Sequence, residues 1–131
     1  MRYLLSIYED ESNWATISPE ESGRIMQRYG AFGEEAKAAG AFLGGDGLQP
    51  TSTATTVRVR DGERLTTDGP FAETKEQLGG FYLLECKDLD EAIEWAAKIP
   101  ASEVGSIEVR PVMDYEAMEA QQHQAQAAAS N

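Results

Sequence analysis

The stretch GGFYLLECKDLDEAIEWAAKIP, residues 79–100, joins a strand directly to a capped helix. Residues 81–86 form an almost continuous apolar run, which is typical of a strand at a central position in a sheet. Asp88 follows with Glu91 three residues later, and this spacing predicts a helix N-terminus. Pro100 ends the helix. Its apolar face is predicted to consist of Leu89, Ala92, Ile93, Ala96 and Ala97.

The N-terminal part of the chain repeats this arrangement. Residues 3–8, YLLSIY, are short, aromatic and branched, which favours a mostly buried strand. Ser18–Glu21 predicts a helix start, because it offers a capping hydroxyl, a proline at the first helical position and a carboxylate that can reach back. Gly30 and Gly33 suggest close backbone packing along this helix, and Gly40 is expected to end it. Apolar residues recur at helical steps: Ile25, Tyr29, Phe32, Ala36 and Ala39.

A β-hairpin is predicted between these two strand–helix units. Residues 55–60 and 63–67 flank Asp61-Gly62, a dipeptide that suits a two-residue turn with positive φ. Asp68–Phe71 follows as a second tight turn, and residues 73–77 are interpreted as a helical turn.

Two further strands complete the expected sheet. Residues 41–43 predict a short strand before the glycine-rich loop 44–50, and residues 106–112 alternate as an edge or half-buried strand does. Residues 115–131 are rich in Gln and Ala and lack the branched apolar residues that build a core, so we expect a tail that is helical or frayed.

The order of elements is strand, helix, strand, hairpin, strand, helix, strand. Without the hairpin this is the βαββαβ pattern of ferredoxin-like domains. We therefore expect an α+β fold with an inserted β-hairpin, in which two helices lie on one face of an antiparallel sheet. Because the strand at residues 3–8 is apolar on both sides, the other face needs a cover. A second copy of the same sheet would supply it, so we expect a homodimer.

Composition narrows the function classes. The chain has 131 residues, one domain by length, and 11 basic against 23 acidic residues give a net charge of −12. Such a field disfavours direct nucleic-acid binding and membrane-surface binding. One cysteine, Cys86, and one histidine, His123, favour neither a disulfide nor a His-rich metal site, and we expect no cofactor. No apolar run reaches the length of a membrane span and no full signal peptide is present, so we expect a cytoplasmic protein.

The tetrapeptide Asp68-Gly69-Pro70-Phe71 and its surroundings resemble the YCII-related family, specifically its DGPF branch. The resemblance covers residues 1–114, which we interpret as the domain, and leaves residues 115–131 as a tail. It implies a dimeric α+β barrel built from two ferredoxin-like subunits. It also implies a link to extracytoplasmic-function sigma factors, and some members of the broader family act on small aromatic compounds. The matching segments are residues 44–48, 53–58, 72–82 and 108–111.

One departure from the resemblance concerns a histidine. The broader family is thought to use a His–Asp pair whose histidine comes from the first helix, and residues 18–40 contain none. His123 lies in the tail. Acid–base chemistry would therefore fall to carboxylates or tyrosines.

Two aspartates are the catalytic candidates. Asp68 could project into a cleft, with Phe71 as an apolar wall, or could instead bond its own downstream amides in a turn. Asp46 lies in a glycine-rich bend that either approaches a ligand or merely turns the chain. If both faced one cleft, their repulsion would raise one pKa and create an acid/base pair.

Basic and aromatic residues are the ligand-binding candidates. Arg58 and Lys75 could hold an anionic ligand, and Tyr8 could offer a hydroxyl to a substrate. Arg60 and Arg64 are interpreted as a solvated hairpin face. Glu73 and Glu76 lack the spacing of a calcium loop, which favours a salt-bridged turn and no metal.

Two functions remain open from the sequence. One is a homodimeric module that binds a small anionic or aromatic molecule or contacts a sigma factor. The alternative is a cofactor-independent enzyme of lyase or isomerase type that uses cleft carboxylates. Fold class alone does not separate them.

Overall fold

The structure, a computed structural model, describes residues 1–129 and has a mixed α+β fold. Short 3₁₀ helices occur at Thr51–Thr53 and Pro100–Glu103. No helix in the described part of the chain has the length and apolar character of a membrane span. The main elements are β1 (Arg2–Glu9), α1 (Ser12–Ala15), α2 (Pro19–Ala38), β2 (Phe42–Gly47), β3 (Thr55–Arg60), β4 (Glu63–Asp68), β5 (Gln77–Glu85), α3 (Leu89–Lys98), β6 (Ser106–Pro111) and α4 (Tyr115–Ala129).

Four strands form one sheet in the order β2-β5-β1-β6, and every neighbouring pair is antiparallel. The remaining strands, β3 and β4, pair only with each other as a separate two-stranded sheet. The expected α+β class with antiparallel strands is therefore confirmed.

One face of the main sheet carries the hydrophobic core. Tyr3, Leu5 and Ile7 of β1 alternate onto this face, where they meet Phe32 of α2 and Trp95 of α3. The Phe32 ring lies edge-on to that of Trp95, with 5.9 Å between ring centroids. Helices α2 and α3 therefore contribute to the same core.

The opposite side, here called the second face, bears Leu4, Ser6, Phe81 and Leu83. The register pairs Leu4 with Leu83 and Ser6 with Phe81, and paired residues of antiparallel strands share a face. Leu4, Phe81 and Leu83 are partly exposed and lie outside the core cluster. The second face is thus apolar at its centre without belonging to the core.

The predicted starts of both helices are confirmed, but the predicted return contact of the Glu21 carboxylate was wrong. Ser18 Oγ accepts a hydrogen bond from the Glu21 amide at 3.1 Å, and Asp88 Oδ1 accepts one from the Glu91 amide at 2.9 Å. At the start of α3 the glutamate side chain also reaches back, since Glu91 Oε2 accepts a hydrogen bond at 3.0 Å from the amide of Lys87, the residue before Asp88. The Glu21 carboxylate instead pairs with Arg24.

The hairpin also forms as predicted. Asp61 has φ 54° and Gly62 has φ 76°, so both central residues of the turn lie in the left-handed region. Apolar side chains of the hairpin are nevertheless exposed, with 59% exposure at Val57 and 60% at Val59. The hairpin extends from the domain and contributes nothing to the core cluster.

Several local predictions were wrong. Residues 73–77 form no helical turn but bends that lead into β5. Ser12–Ala15 forms a short helix that was not predicted. On α3 the buried face is Ala92, Trp95 and Ala96, whereas Leu89 and Ile93 are about half exposed. Trp95 is buried because its large ring packs against Phe32 of α2.

The glycines of α2 do not mark close packing. A Cβ atom built at Gly30 or Gly33 would have no other heavy atom within 4 Å. The expected close approach of another backbone is therefore absent at both positions. The tail forms α4, in which no residue of Tyr115–Ala129 is buried.

Candidate functional site

A cavity of about 500 Å³ opens between the core face of the sheet and the helices α1 and α2. The sheet supplies its floor through Ile7 and Tyr82, and the helices supply Trp14, Met26 and Tyr29. The chain after β2 closes one side with Leu48 and Pro50. The volume is within the usual range for small-molecule sites.

Glycines allow the two strands at the floor of this cavity to lie close together. A Cβ atom at Gly45 would lie 2.7 Å from the Phe81 carbonyl oxygen and 2.7 Å from Tyr82 Cδ1. A Cβ atom at Gly80 would lie 3.0 Å from the Asp46 carbonyl oxygen. The glycine-rich run in β2 therefore lets two strands and an aromatic ring meet closely beneath the cavity.

Two tyrosines, Tyr29 and Tyr82, line the cavity. Burial and the nearby Glu9 carboxylate raise the pKa of Tyr29 to about 12, and burial also raises the pKa of Tyr82. Tyr82 is held in place by Phe32, whose ring centroid is 4.7 Å away. At neutral pH both phenols keep their proton, as an unshifted tyrosine also does, and can donate a hydrogen bond to a ligand.

Glu9 is the carboxylate at the inner end of the cavity. It ends β1 on the same side as Ile7, and its Oε2 accepts a hydrogen bond from Trp14 Nε1 at 3.2 Å. Its other oxygen accepts no hydrogen bond from residues 1–129. Glu9 thus orients the indole and retains one carboxylate oxygen for a ligand.

Glu11 has a structural role at the edge of the same cavity. Its carboxylate accepts hydrogen bonds from the Thr51 amide at 2.7 Å and the Thr51 hydroxyl at 2.8 Å. The Glu11 amide in turn donates to Gln77 Oε1 at 3.0 Å. These contacts tie the start of α1 to the chain after β2 and to β5.

Asp46, a predicted catalytic residue, lies in β2, because this strand extends to Gly47 where a loop from residue 44 was expected, and it borders the cavity. The register pairs it with Phe81 and Phe81 with Ser6, which directs its side chain toward the second face of the sheet. No hydrogen bond or ion pair within residues 1–129 engages its carboxylate.

Asp68, the other predicted catalytic residue, ends β4 opposite Thr55 and is exposed. It does not line the cavity, and its carboxylate makes no hydrogen bond to the downstream amides. The turn is held instead by the Gly69 amide, which donates to the Ala54 carbonyl at 2.7 Å. The structure does not bring the Asp68 and Asp46 side chains together in this cavity.

The predicted ligand-binding residues lie outside the cavity. Arg58 stacks on Phe71 with its guanidinium carbon 5.4 Å from the ring centroid, and Phe71 is 78% exposed. Lys75 lies near Asp10 and lowers the pKa of that carboxyl slightly, after the larger effect of Ser12. Tyr8 pairs with Leu78 and Ser106 near the end of β1. None of these four residues lines the cavity.

Sequence reasoning missed Glu9, Trp14 and Tyr29 as site residues. Glu9 and Trp14 lie outside the elements predicted from the sequence, and Tyr29 was predicted as one member of the apolar face of a helix. A usable signal was the alternation of Tyr3, Leu5, Ile7 and Glu9, because residues two apart on a strand share a face.

No group of three or more His, Cys, Asp or Glu residues within residues 1–129 could hold a metal ion. Cys86 is buried, and burial raises the pKa of its thiol, so it packs as a small apolar residue.

Comparison with known proteins gives a consistent result. The sequence profile of the YCII-related domain matches residues 1–116. An uncharacterised protein of Rhizobium meliloti (strain 1021) is 43% identical over 117 residues, a match that covers 88% of this chain and 94% of the relative.

Proposed function

Since the chain belongs to the YCII-related domain family, we propose that it is a small-molecule-binding domain whose site is the cavity between the sheet and helices α1 and α2. The observation that carries this proposal is the cavity itself, which combines apolar and aromatic walls with a few polar groups. Concave sites of this kind are where proteins usually bind small molecules.

The polar groups of the cavity support recognition of a ligand. The Tyr29 phenol is protonated near neutral pH and can donate a hydrogen bond, and the Glu11 carboxylate is engaged by Thr51. Among the described lining residues, Glu9 keeps a carboxylate oxygen that accepts no hydrogen bond, whereas Asp46 directs its side chain toward the second face. A carboxylate with one oxygen left over, beside phenols that can donate hydrogen bonds, supports recognition of a polar ligand.

A fragment screen tests the proposal. Aromatic fragments of positive, neutral and negative charge are titrated into the full chain, and NMR shift changes at cavity residues are recorded. We expect shifts centred on Trp14, Tyr29 and Tyr82. If no fragment perturbs these residues, the proposal is wrong.

A matched pair of variants locates the binding. Met26→Trp places a large ring at the mouth of the cavity, where Met26 is 59% exposed, and should abolish fragment binding. Met118→Trp makes the same change on the exposed face of α4 and should leave binding intact.

We further propose the ferredoxin-like, homodimeric arrangement. The strand order β2-β5-β1-β6, with a core shared by α2 and α3 on one face, supports the ferredoxin-like assignment. The partly exposed second face, with Leu4 and Leu83 at its centre, supports sheet-to-sheet pairing of two copies. The tetrapeptide Asp68–Phe71 supports membership of the DGPF branch.

The enzyme alternative and the sigma-factor partner remain predictions. Turnover that disappears in Asp68→Asn would favour the enzyme with Asp68 and Asp46 as its acid/base residues. Specific capture of an extracytoplasmic-function sigma factor, lost on a surface change remote from the cavity, would favour the partner role. Cytoplasmic location is likewise a prediction.

A further inference from the structure

We infer that the cavity selects aromatic molecules that carry a positively charged amine, an inference that rests on the proposed small-molecule-binding function. The sequence alone favoured an anionic or aromatic ligand. The positions of the charged side chains around the cavity reverse the sign of the expected charge.

The aromatic part of the ligand is recognised by the walls. Trp14, Tyr29 and Tyr82 present three rings to one space, with the flexible thioether of Met26 beside them. Aromatic groups pack favourably against such rings, and the same ring faces attract a cation. Methionine adapts to irregular ligand shapes.

The charge of the ligand follows from what lines the cavity and what does not. Among the described residues, those lining it include Glu9 and Glu11 but no lysine, arginine or histidine. Arg58, the predicted anion clamp, stacks on Phe71 away from the cavity. An anionic ligand would therefore be desolvated beside carboxylates without a compensating positive charge.

Glu9 provides the specific partner for an amine. Its Oε2 is fixed by Trp14 Nε1, while its other oxygen accepts no hydrogen bond within residues 1–129. An ammonium group there would donate to that oxygen and lie near the Trp14 and Tyr29 rings. Charge-assisted hydrogen bonds and cation–π contacts reinforce each other in such a geometry.

The charge of the whole chain acts in the same direction. With a net charge of −12, the surrounding field concentrates cations near the cavity and repels anions. The local carboxylate and the long-range field thus favour the same ligand class.

Three probes of similar size and shape separate charge from aromatic character. Phenethylamine, phenethyl alcohol and phenylacetate are titrated into the full chain at neutral pH and low salt by calorimetry and NMR. We expect the amine to bind about tenfold more tightly than the alcohol, and the carboxylate most weakly. Added salt should reduce the preference for the amine.

Two charge-neutralising variants test the role of Glu9. Glu9→Gln keeps the side-chain shape and an acceptor for Trp14, and it should lower amine affinity about tenfold while leaving the alcohol unchanged. Glu63→Gln removes the same charge from the exposed hairpin and should change neither affinity. Equal losses in the two variants would show that only the overall field matters and would overturn the assignment to Glu9.

The outcomes distinguish this inference from the proposed function. Equal binding of amine and alcohol, or tighter binding of phenylacetate, would overturn the charge preference while the cavity remained a binding site. If none of the three probes binds, the inference is wrong. The fragment screen then decides whether the small-molecule-binding function is wrong as well.

Discussion

Gly45 shapes the cavity floor because it has no side chain, which lets the neighbouring strand and the Tyr82 ring lie close to it. A Cβ atom there would lie 2.7 Å from both the Phe81 carbonyl oxygen and Tyr82 Cδ1, whereas one at Gly44 would meet nothing within 4 Å. We expect Gly45→Ala to lower the free energy of unfolding by about 1–3 kcal/mol, because strand and ring must shift. Gly44→Ala, the control, should change it by less than about 1 kcal/mol. Urea unfolding of both variants measures the difference, and equal losses would contradict the close contact.

Tyr29 makes stability depend on pH in the alkaline range. Its pKa is raised from the ordinary 10.0 to about 12, so between these values the unfolded chain loses a phenolic proton that the folded chain retains. The unfolded state therefore gains relative stability as pH rises through this window. We expect the melting temperature of the wild type to fall more than that of Tyr29→Phe between pH 10 and pH 12. Parallel pH series would contradict the raised pKa if the two proteins lost stability equally.

Helix α2 carries glycines that its packing does not require. Gly30 and Gly33 have open space at the Cβ position, and an interior glycine costs a helix up to about 1 kcal/mol relative to alanine. We expect Gly30→Ala and Gly33→Ala each to raise the free energy of unfolding by about 0.5–1 kcal/mol. Gly40→Ala should have the opposite effect, because Gly40 has φ +71°. Destabilisation by Gly30→Ala would reveal a contact, for example with another molecule.

The buried face of helix α3 is determined by a contact with another helix. Of the predicted apolar face, Ala92 and Ala96 are buried, whereas Leu89 and Ile93 are about half exposed and Trp95 is buried in their place. The Trp95 ring packs edge-on against Phe32. The Lys98 ammonium lies over the same Trp95 ring, 5.1 Å from its centroid. A partner from α2, more than sixty residues earlier in the chain, therefore decided the rotation of this helix.

The whole molecule presents an apolar second face that a second copy would cover. We expect the wild type to sediment as a dimer at micromolar concentration, since Leu83 lies at the centre of this face and outside the core. Leu83→Glu would oppose two like charges across the interface and should yield a folded monomer. Leu89→Glu, on the exposed surface of α3, should remain dimeric. A folded wild-type monomer at these concentrations would contradict the proposed assembly.

Local interactions were readable from the sequence. The caps at Ser18 and Asp88 and the Asp61-Gly62 turn involve atoms within about four residues of one another, so residue type and spacing suffice to specify them. The apolar run at residues 81–86 likewise marked the strand that pairs with two others at the centre of the sheet. The α+β class follows from the order of such elements.

The site was decided by tertiary structure. Glu9, Trp14, Tyr29 and Tyr82 come from four separate elements, and only packing brings them around one cavity. Sequence spacing could not show this, because the long-range register of β1 with β5 sets which side of the sheet each residue faces. Strand register also explains Asp46, which borders the cavity but directs its side chain toward the second face. Short-range hydrogen bonding thus fixes the elements, whereas strand register and helix rotation determine which charges meet a ligand.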